Sequence, residues 1–263
     1  MSKAFALVTA TAPEMRAVLA GVLAPDWAPG SPARAALPWA GGESLPRSLR
    51  LGAATLHLLL CGIGPLNAAL ALGRLLGTGL RLDGILNLGL AGSYDLRKAP
   101  LGSLVAATEE IWPEYGVSGR GGVSAEALGL PLAVYEGRPV FDRIALQPVQ
   151  FLKQMELNAQ AADLRGPAVT VAGVPGTPAR AGRLRERTGG LMENMEGFPL
   201  ALGCLCREGE TLPFVEIRCI SNAAGRRPPG GWDLPGAMAG LAAGARLLLS
   251  PLRGNSNSRL KML

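Results

Sequence analysis

Residues 55–76 read TLHLLLCGIGPLNAALALGRLL, and their order decides the fold class. Thr55–Leu60 is a short, mostly apolar run, the signature of a buried strand. Gly62-Ile63-Gly64 makes a turn. Pro65–Leu76 then predicts a helix, because proline at the first helical position is pre-set for helical φ. The same alternation recurs outward from this unit. Strands are expected at Phe5–Ala10, Gly84–Leu90, Ser103–Thr108, Ala168–Gly173 and Phe214–Ser221. Helices are expected over Glu14–Leu23, Pro178–Thr188, Glu196–Glu208 and Pro235–Leu249. Strands that alternate with helices predict an α/β fold with a mainly parallel sheet. Ligands of such sheets sit beyond the carboxyl ends of the strands.

The turn at Gly62–Gly64 also resembles the start of a dinucleotide fingerprint. The third glycine of that pattern is absent, with Asn67 in its place. Asp83 stands about twenty residues on, but it precedes a strand instead of ending one. No nicotinamide cofactor is therefore expected. The glycines still let the backbone approach a ligand, and the helix start offers free N–H groups.

Composition narrows the class. The chain has 263 residues, 48% of them hydrophobic, which excludes a disordered chain. Net charge is +6, but the arginines are scattered and no block of like charge occurs. The clusters Arg180-Arg183-Arg185-Arg187 and Arg226-Arg227 lack interleaved aromatics, so no nucleic-acid partner is expected. Met1–Ala10 and Met238–Ser250 are too short to span a bilayer, and no membrane partner is expected. His57 is the only histidine, and none of the four cysteines forms a C-x-x-C pair. No metal site is expected from that set. Reduced thiols point to the cytoplasm. Ala24–Pro46 reads as a loop, and residues 112–165 suggest loops and a substrate lid. No repeat or break in composition divides the chain. Residues 1–250 are expected to form one domain, and 251–263 a disordered basic tail.

Three polar residues stand out: Glu14 after the first strand, Glu196 in ENMEGF and Asn222 at the end of the sixth strand. Each also has a purely structural explanation. Glu14 suits the first turn of a helix, where the dipole favours a carboxylate. Glu196 can cap a helix on a solvated face. Ser221-Asn222-Ala223-Ala224-Gly225 is good turn chemistry.

Taken in order, the segments TATAPEMRAVL, LLLCGIGPLNAALAL, ILNLGLAGSYDL, GPAVTV, ENMEG and PFVEIRCISN resemble the nucleoside phosphorylase and nucleosidase superfamily. The resemblance runs from about Lys3 to Leu249 and is greatest to its futalosine-cleaving branch. It implies a three-layer α/β/α sandwich around a twisted mixed, mainly parallel sheet. It implies hydrolysis of a nucleoside N-glycosidic bond without metal or organic cofactor, in a homo-oligomer. It places Glu14 as the general base for water and Glu196 on the ribose hydroxyls. Met195 and the Asn194 backbone fall beside the sugar, Ala91 and Gly92 beside base and ribose. Ile63 and Gly64 fall near the 5′ end, and Ser221 and Asn222 at the purine.

Asn222 stands where the adenosine-specific members carry Asp. An Asn amide donates to a 6-oxo group and accepts from N7–H, but cannot deliver an acidic proton. This favours hypoxanthine over adenine, and so futalosine over methylthioadenosine or aminofutalosine. Arg120, Arg138 and Arg143 are candidates for the carboxylate of futalosine. A purine nucleoside phosphorylase, a methylthioadenosine/S-adenosylhomocysteine nucleosidase and a nucleoside-binding sensor are the alternatives. A phosphorylase needs an arginine-lined anion site near Gly64, and no arginine adjoins that turn in sequence. Phe198, after Glu196, is expected to pack in the core.

Overall fold

The computed structural model describes residues 2–23, 47–206, 211–226 and 231–253. The expected loop at 24–46 lies outside the described residues, as do residues 254–263 of the expected tail. Ser250–Arg253 form a 3-10 turn whose Leu252 packs on the core.

Strands β1 (Ala4–Thr9), β2 (Ser48–Leu51), β3 (Ala54–Leu60), β4 (Gly84–Ser93) and β5 (Leu104–Ile111) belong to one nine-stranded sheet. Two small hairpins follow, β6 (Val117–Gly119) with β7 (Gly122–Ser124), and β8 (Ala133–Tyr135) with β9 (Arg138–Val140). The main sheet is completed by β10 (Arg143–Ala145), β11 (Leu164–Thr170), β12 (Met192–Asn194) and β13 (Phe214–Ala223). The helices are α1 (Ala12–Leu23), α2 (Pro65–Leu76), α3 (Ala125–Leu128), α4 (Pro148–Gln154), α5 (Pro178–Thr188), α6 (Gly197–Leu205) and α7 (Leu234–Leu248).

Alternation along β1 shows why two layers of helix cover the sheet. Phe5 and Leu7 enter a core shared with α1, α4 and α7. Ala6 and Val8 enter a second core shared with α2 and α6. Successive strand residues point to opposite faces, so an apolar strand with no polar alternation must be covered on both. The expected sandwich around a mixed, mainly parallel sheet is therefore present.

Strand β13 lies between β4, to which it runs parallel, and β5, to which it runs antiparallel. Strand β12 joins β11 back to β4. The path β4–β13–β5–β11–β12–β4 is thus a closed ring within the larger sheet. Closure leaves no free edge among these strands. It also gathers the carboxyl ends of β4 and β13 in one place.

The middle region differs from its expectation of loops and a lid. Residues 112–165 hold the two hairpins, α3, edge strand β10 and α4. Its strands are three residues long and half-exposed, too short for alternation to show in sequence. Strands β2, of four residues, and β12, of three, are likewise too short for alternation to show. Among the described residues, no helix is long and apolar enough to cross a membrane.

Candidate functional site

A cavity of about 480 Å³ opens where the ends of β1, β4 and β13 meet the starts of α1 and α6. Glu14, Ile63, Ala91 and Gly92 line it from the first half of the chain. Asn194, Met195, Glu196, Ser221 and Asn222 line it from the second. Of the residues that the resemblance assigns to the site, only Gly64 stays off the wall. It acts from behind: its N–H donates to Glu196 Oε1 at 3.1 Å. Gly64 has φ of 97°, a left-handed conformation that only glycine adopts without strain, so the turn needs this residue.

Glu14 sits in a capping box, Thr11-Ala12-Pro13-Glu14. Its Oε2 accepts from the Thr11 N–H at 2.9 Å and the Thr11 hydroxyl at 2.7 Å. This satisfies a free donor at the helix start. Its Oε1 accepts from the Leu90 N–H at 3.1 Å. The structural explanation for Glu14 is therefore real, and it coexists with a place on the cavity wall. A carboxylate oxygen accepts two hydrogen bonds, so Oε1 retains capacity for one more partner.

Glu196 precedes α6, with its Oε2 on Arg218 Nη1 at 3.2 Å. Burial pushes its carboxyl up, and the Arg218 guanidinium opposes that rise. Arg218 is only 1% exposed, with Nε on Glu216 Oε1 at 2.6 Å. Burial alone depresses an arginine, but the charges of Glu216 and Glu196 outweigh it and hold Arg218 above its usual range. Asn194 Oδ1 accepts from the N–H groups of Glu196, at 2.9 Å, and Gly197, at 2.7 Å. The side chain before the helix thereby fixes the turn that presents Glu196.

Ser221 and Asn222 are consecutive strand residues, yet both line the cavity. The β13–β4 register shifts between Ile220 and Asn222, which is a bulge. A bulge re-aims side chains that a regular strand sends to opposite faces. Asn222 Oδ1 accepts from the Ser221 hydroxyl at 2.8 Å, and its Nδ2 donates to the Ala223 carbonyl at 3.1 Å. The amide keeps one donor and one acceptor direction for a ligand.

A phosphorylase-superfamily model matches residues 5–244. The chain belongs to the phosphorylase superfamily. The futalosine hydrolase of Thermus thermophilus is 32% identical over 72% of this chain and 79% of its own. That of Streptomyces coelicolor is 34% identical over 70% and 74%. A methylthioadenosine/S-adenosylhomocysteine nucleosidase structure from Colwellia psychrerythraea, in complex with adenine, superposes with a TM-score of 0.68. It is 20% identical, with 97% of this chain and 98% of that one covered, which shows the shared fold.

Within this phosphorylase-superfamily cavity, several residues escaped sequence reasoning. Arg218, Glu193, Arg226 and Trp232 also line it. The signal for Arg218 was present, since Glu216 and Arg218 are charged residues two apart in an otherwise apolar strand. They share one face and hence a site. No residue of 112–165 is on the cavity wall among the described residues, so Arg120, Arg138 and Arg143 stand elsewhere. Arg143 pairs with Glu109 at 3.0 Å, and Arg120 lines a separate surface cleft with Arg180, Arg183 and Arg187. Phe198 is buried in the core and packs against Trp112, with ring centroids 5.7 Å apart.

Proposed function

We propose that the protein hydrolyses the N-glycosidic bond of futalosine, releasing hypoxanthine and dehypoxanthine futalosine, in menaquinone biosynthesis. The observation that carries this reading is the meeting of Glu14, Glu196 and Asn222 at one cavity. The relatives named as futalosine hydrolases support the choice of substrate.

Water attacks the anomeric carbon while Glu14 takes its proton. The bond to the purine breaks, and its electron pair leaves with the base. Positive charge develops on the ribose, and the Glu196 carboxylate, accepting from the sugar hydroxyls, stabilises it. As the base departs, solvent water protonates N7 and the hydroxide so formed takes the proton from Glu14, restoring the carboxylate; Asn222 donates to the 6-oxo group and accepts from the new N7–H. Met195 and Asn194 pack beside the sugar, Ala91 and Gly92 beside base and ribose. Ser221 holds the amide, and Ile63 faces the 5′ end.

Water is favoured over phosphate by what surrounds Gly64. A helix-start N–H and an arginine are the usual elements of an anion site. Here the Gly64 N–H and Arg218 both engage the Glu196 carboxylate. The protein's own acid fills the place that a phosphate would need.

A homo-oligomer fits the surface beside the cavity. Ile63, Leu66 and Leu70 expose an apolar strip along α2, with Leu66 86% exposed. Such strips mark interfaces. The cytoplasm suits the reduced thiols of Cys61, Cys204 and Cys219.

The test is base release from futalosine, aminofutalosine, methylthioadenosine and inosine, each with and without phosphate. Hypoxanthine from futalosine in phosphate-free buffer is expected. Strict phosphate dependence, or preference for an adenine nucleoside, contradicts the reading.

A further inference from the structure

Behind the cavity lies a cluster of buried acids that the reaction does not use. Glu110 and Glu216 are both fully buried. Their carboxyls meet over Gly197, where an added Cβ would overlap Glu110 Oε1 and Glu216 Oε2 together. Two carboxylates so close and so dry cannot both ionise. Glu110 accepts from the Thr170 hydroxyl and from Asn194 Nδ2, each at 2.7 Å. Glu216 Oε1 takes the Arg218 Nε–H, while Glu216 Oε2 finds no donor among the described residues. A proton on Glu110 supplies that donor. Burial and the neighbouring Glu216 charge both push the Glu110 carboxyl up, in the same sense.

We propose that Glu110 and Glu216 hold one proton between them and position Glu196 through two arms. The first arm runs from Glu216 through Arg218 to the Glu196 carboxylate, over contacts of 2.6 and 3.2 Å. The second runs from Glu110 through Asn194 to the backbone N–H of Glu196, over contacts of 2.7 and 2.9 Å. One arm sets the carboxylate and the other sets the turn that carries it. The charges facing the pair are Arg218 on β13 and Glu196 before α6, and Glu14 on α1 faces Arg218. Glu110 and Glu216 are positioning residues, since neither lines the cavity.

This proposal rests on reading the cavity as a nucleosidase site, and its test separates the two. Infrared spectra of wild type and E110Q at neutral pH are compared, and kcat and KM for futalosine are measured for E110A, E110Q and E216Q. A carboxylic-acid C=O band in wild type, absent from E110Q, is expected. E110A and E216Q should lose kcat by about tenfold or more with smaller changes in KM, because a misplaced group costs turnover first. The E110Q amide can donate to Glu216 Oε2 only with its nitrogen in the place of Oε1, which ends the hydrogen bond from Asn194 Nδ2, so E110Q should keep the first arm alone and show a kcat between those of E110A and wild type. A merely space-filling Glu216 would leave the near-isosteric E216Q at the wild-type rate, and that result overturns the proposal. So does a wild type without the E110Q-sensitive band, an E110Q at the wild-type rate, or an E110Q that does not fold. If E216Q does not fold, the band and the Glu110 variants decide. Should wild type fail to cleave any of the four nucleosides, the nucleosidase reading falls, while the band still tests the proton-sharing pair.

Discussion

Glu14 does two jobs at one position. Its Oε2 closes a capping box on Thr11, and its Oε1 meets the Leu90 N–H at the cavity wall. Removing the charge should therefore touch stability and turnover unequally. Glu14→Gln should lower kcat for futalosine by about a hundredfold or more. It should cost about 1 kcal/mol of stability through the weakened cap. Base release and urea unfolding measure the two, and wild-type turnover in that variant removes Glu14 from its role. Asn222 is proposed to set the base. Asn222→Asp should raise kcat/KM for aminofutalosine relative to futalosine by about tenfold or more, since a mispaired buried polar group costs about 1–3 kcal/mol. An unchanged ratio shows that the purine is read elsewhere. These two residues were legible in sequence because each follows a strand of clear pattern. Arg218 and Glu216 were equally visible as letters, but their partners lie on β5, β12 and the α6 turn. Only the folded ring brings Glu110 and Asn194 to them.

At the scale of elements, the closed ring of β4, β13, β5, β11 and β12 explains both what sequence showed and what it hid. The long apolar strands and the helices after them were readable from hydrophobic runs, proline and glycine. Strand β12 has three residues, and β13 runs on through its bulge to Ala223, so Asn222 lies within the strand instead of after it. Neither feature has a periodic signal, because each depends on pairing with distant strands. The ring also traps the Glu110 carboxyl. Its folded pKa lies above the unfolded value, because burial and Glu216 favour the protonated form. The stabilisation this gives is complete below the unfolded carboxylate pKa and fades as pH rises through the raised folded value. Glu110→Gln has no proton to lose. The melting temperature of wild type relative to E110Q should therefore fall as pH is raised from about 4.5 into the alkaline range. Parallel melting curves against pH contradict a protonated Glu110.

For the whole molecule, the fold class followed from alternation alone, while the ring closure and the site depended on non-local pairing. The exposed strip at Ile63, Leu66 and Leu70 continues from the cavity along α2, so assembly and activity should be linked. Leu66→Glu should convert the proposed homo-oligomer to monomer in size-exclusion chromatography with light scattering, and a monomeric wild type contradicts that proposal. The cavity brings together two carboxylates and an amide, proposed to serve water, the ribose and a 6-oxopurine. Its function is tested most directly by cleaving futalosine in phosphate-free, heavy-oxygen water. Hypoxanthine should appear unlabelled, and the sugar product should carry one heavy oxygen on its anomeric carbon. No cleavage without phosphate, or a sugar product free of label, contradicts the account.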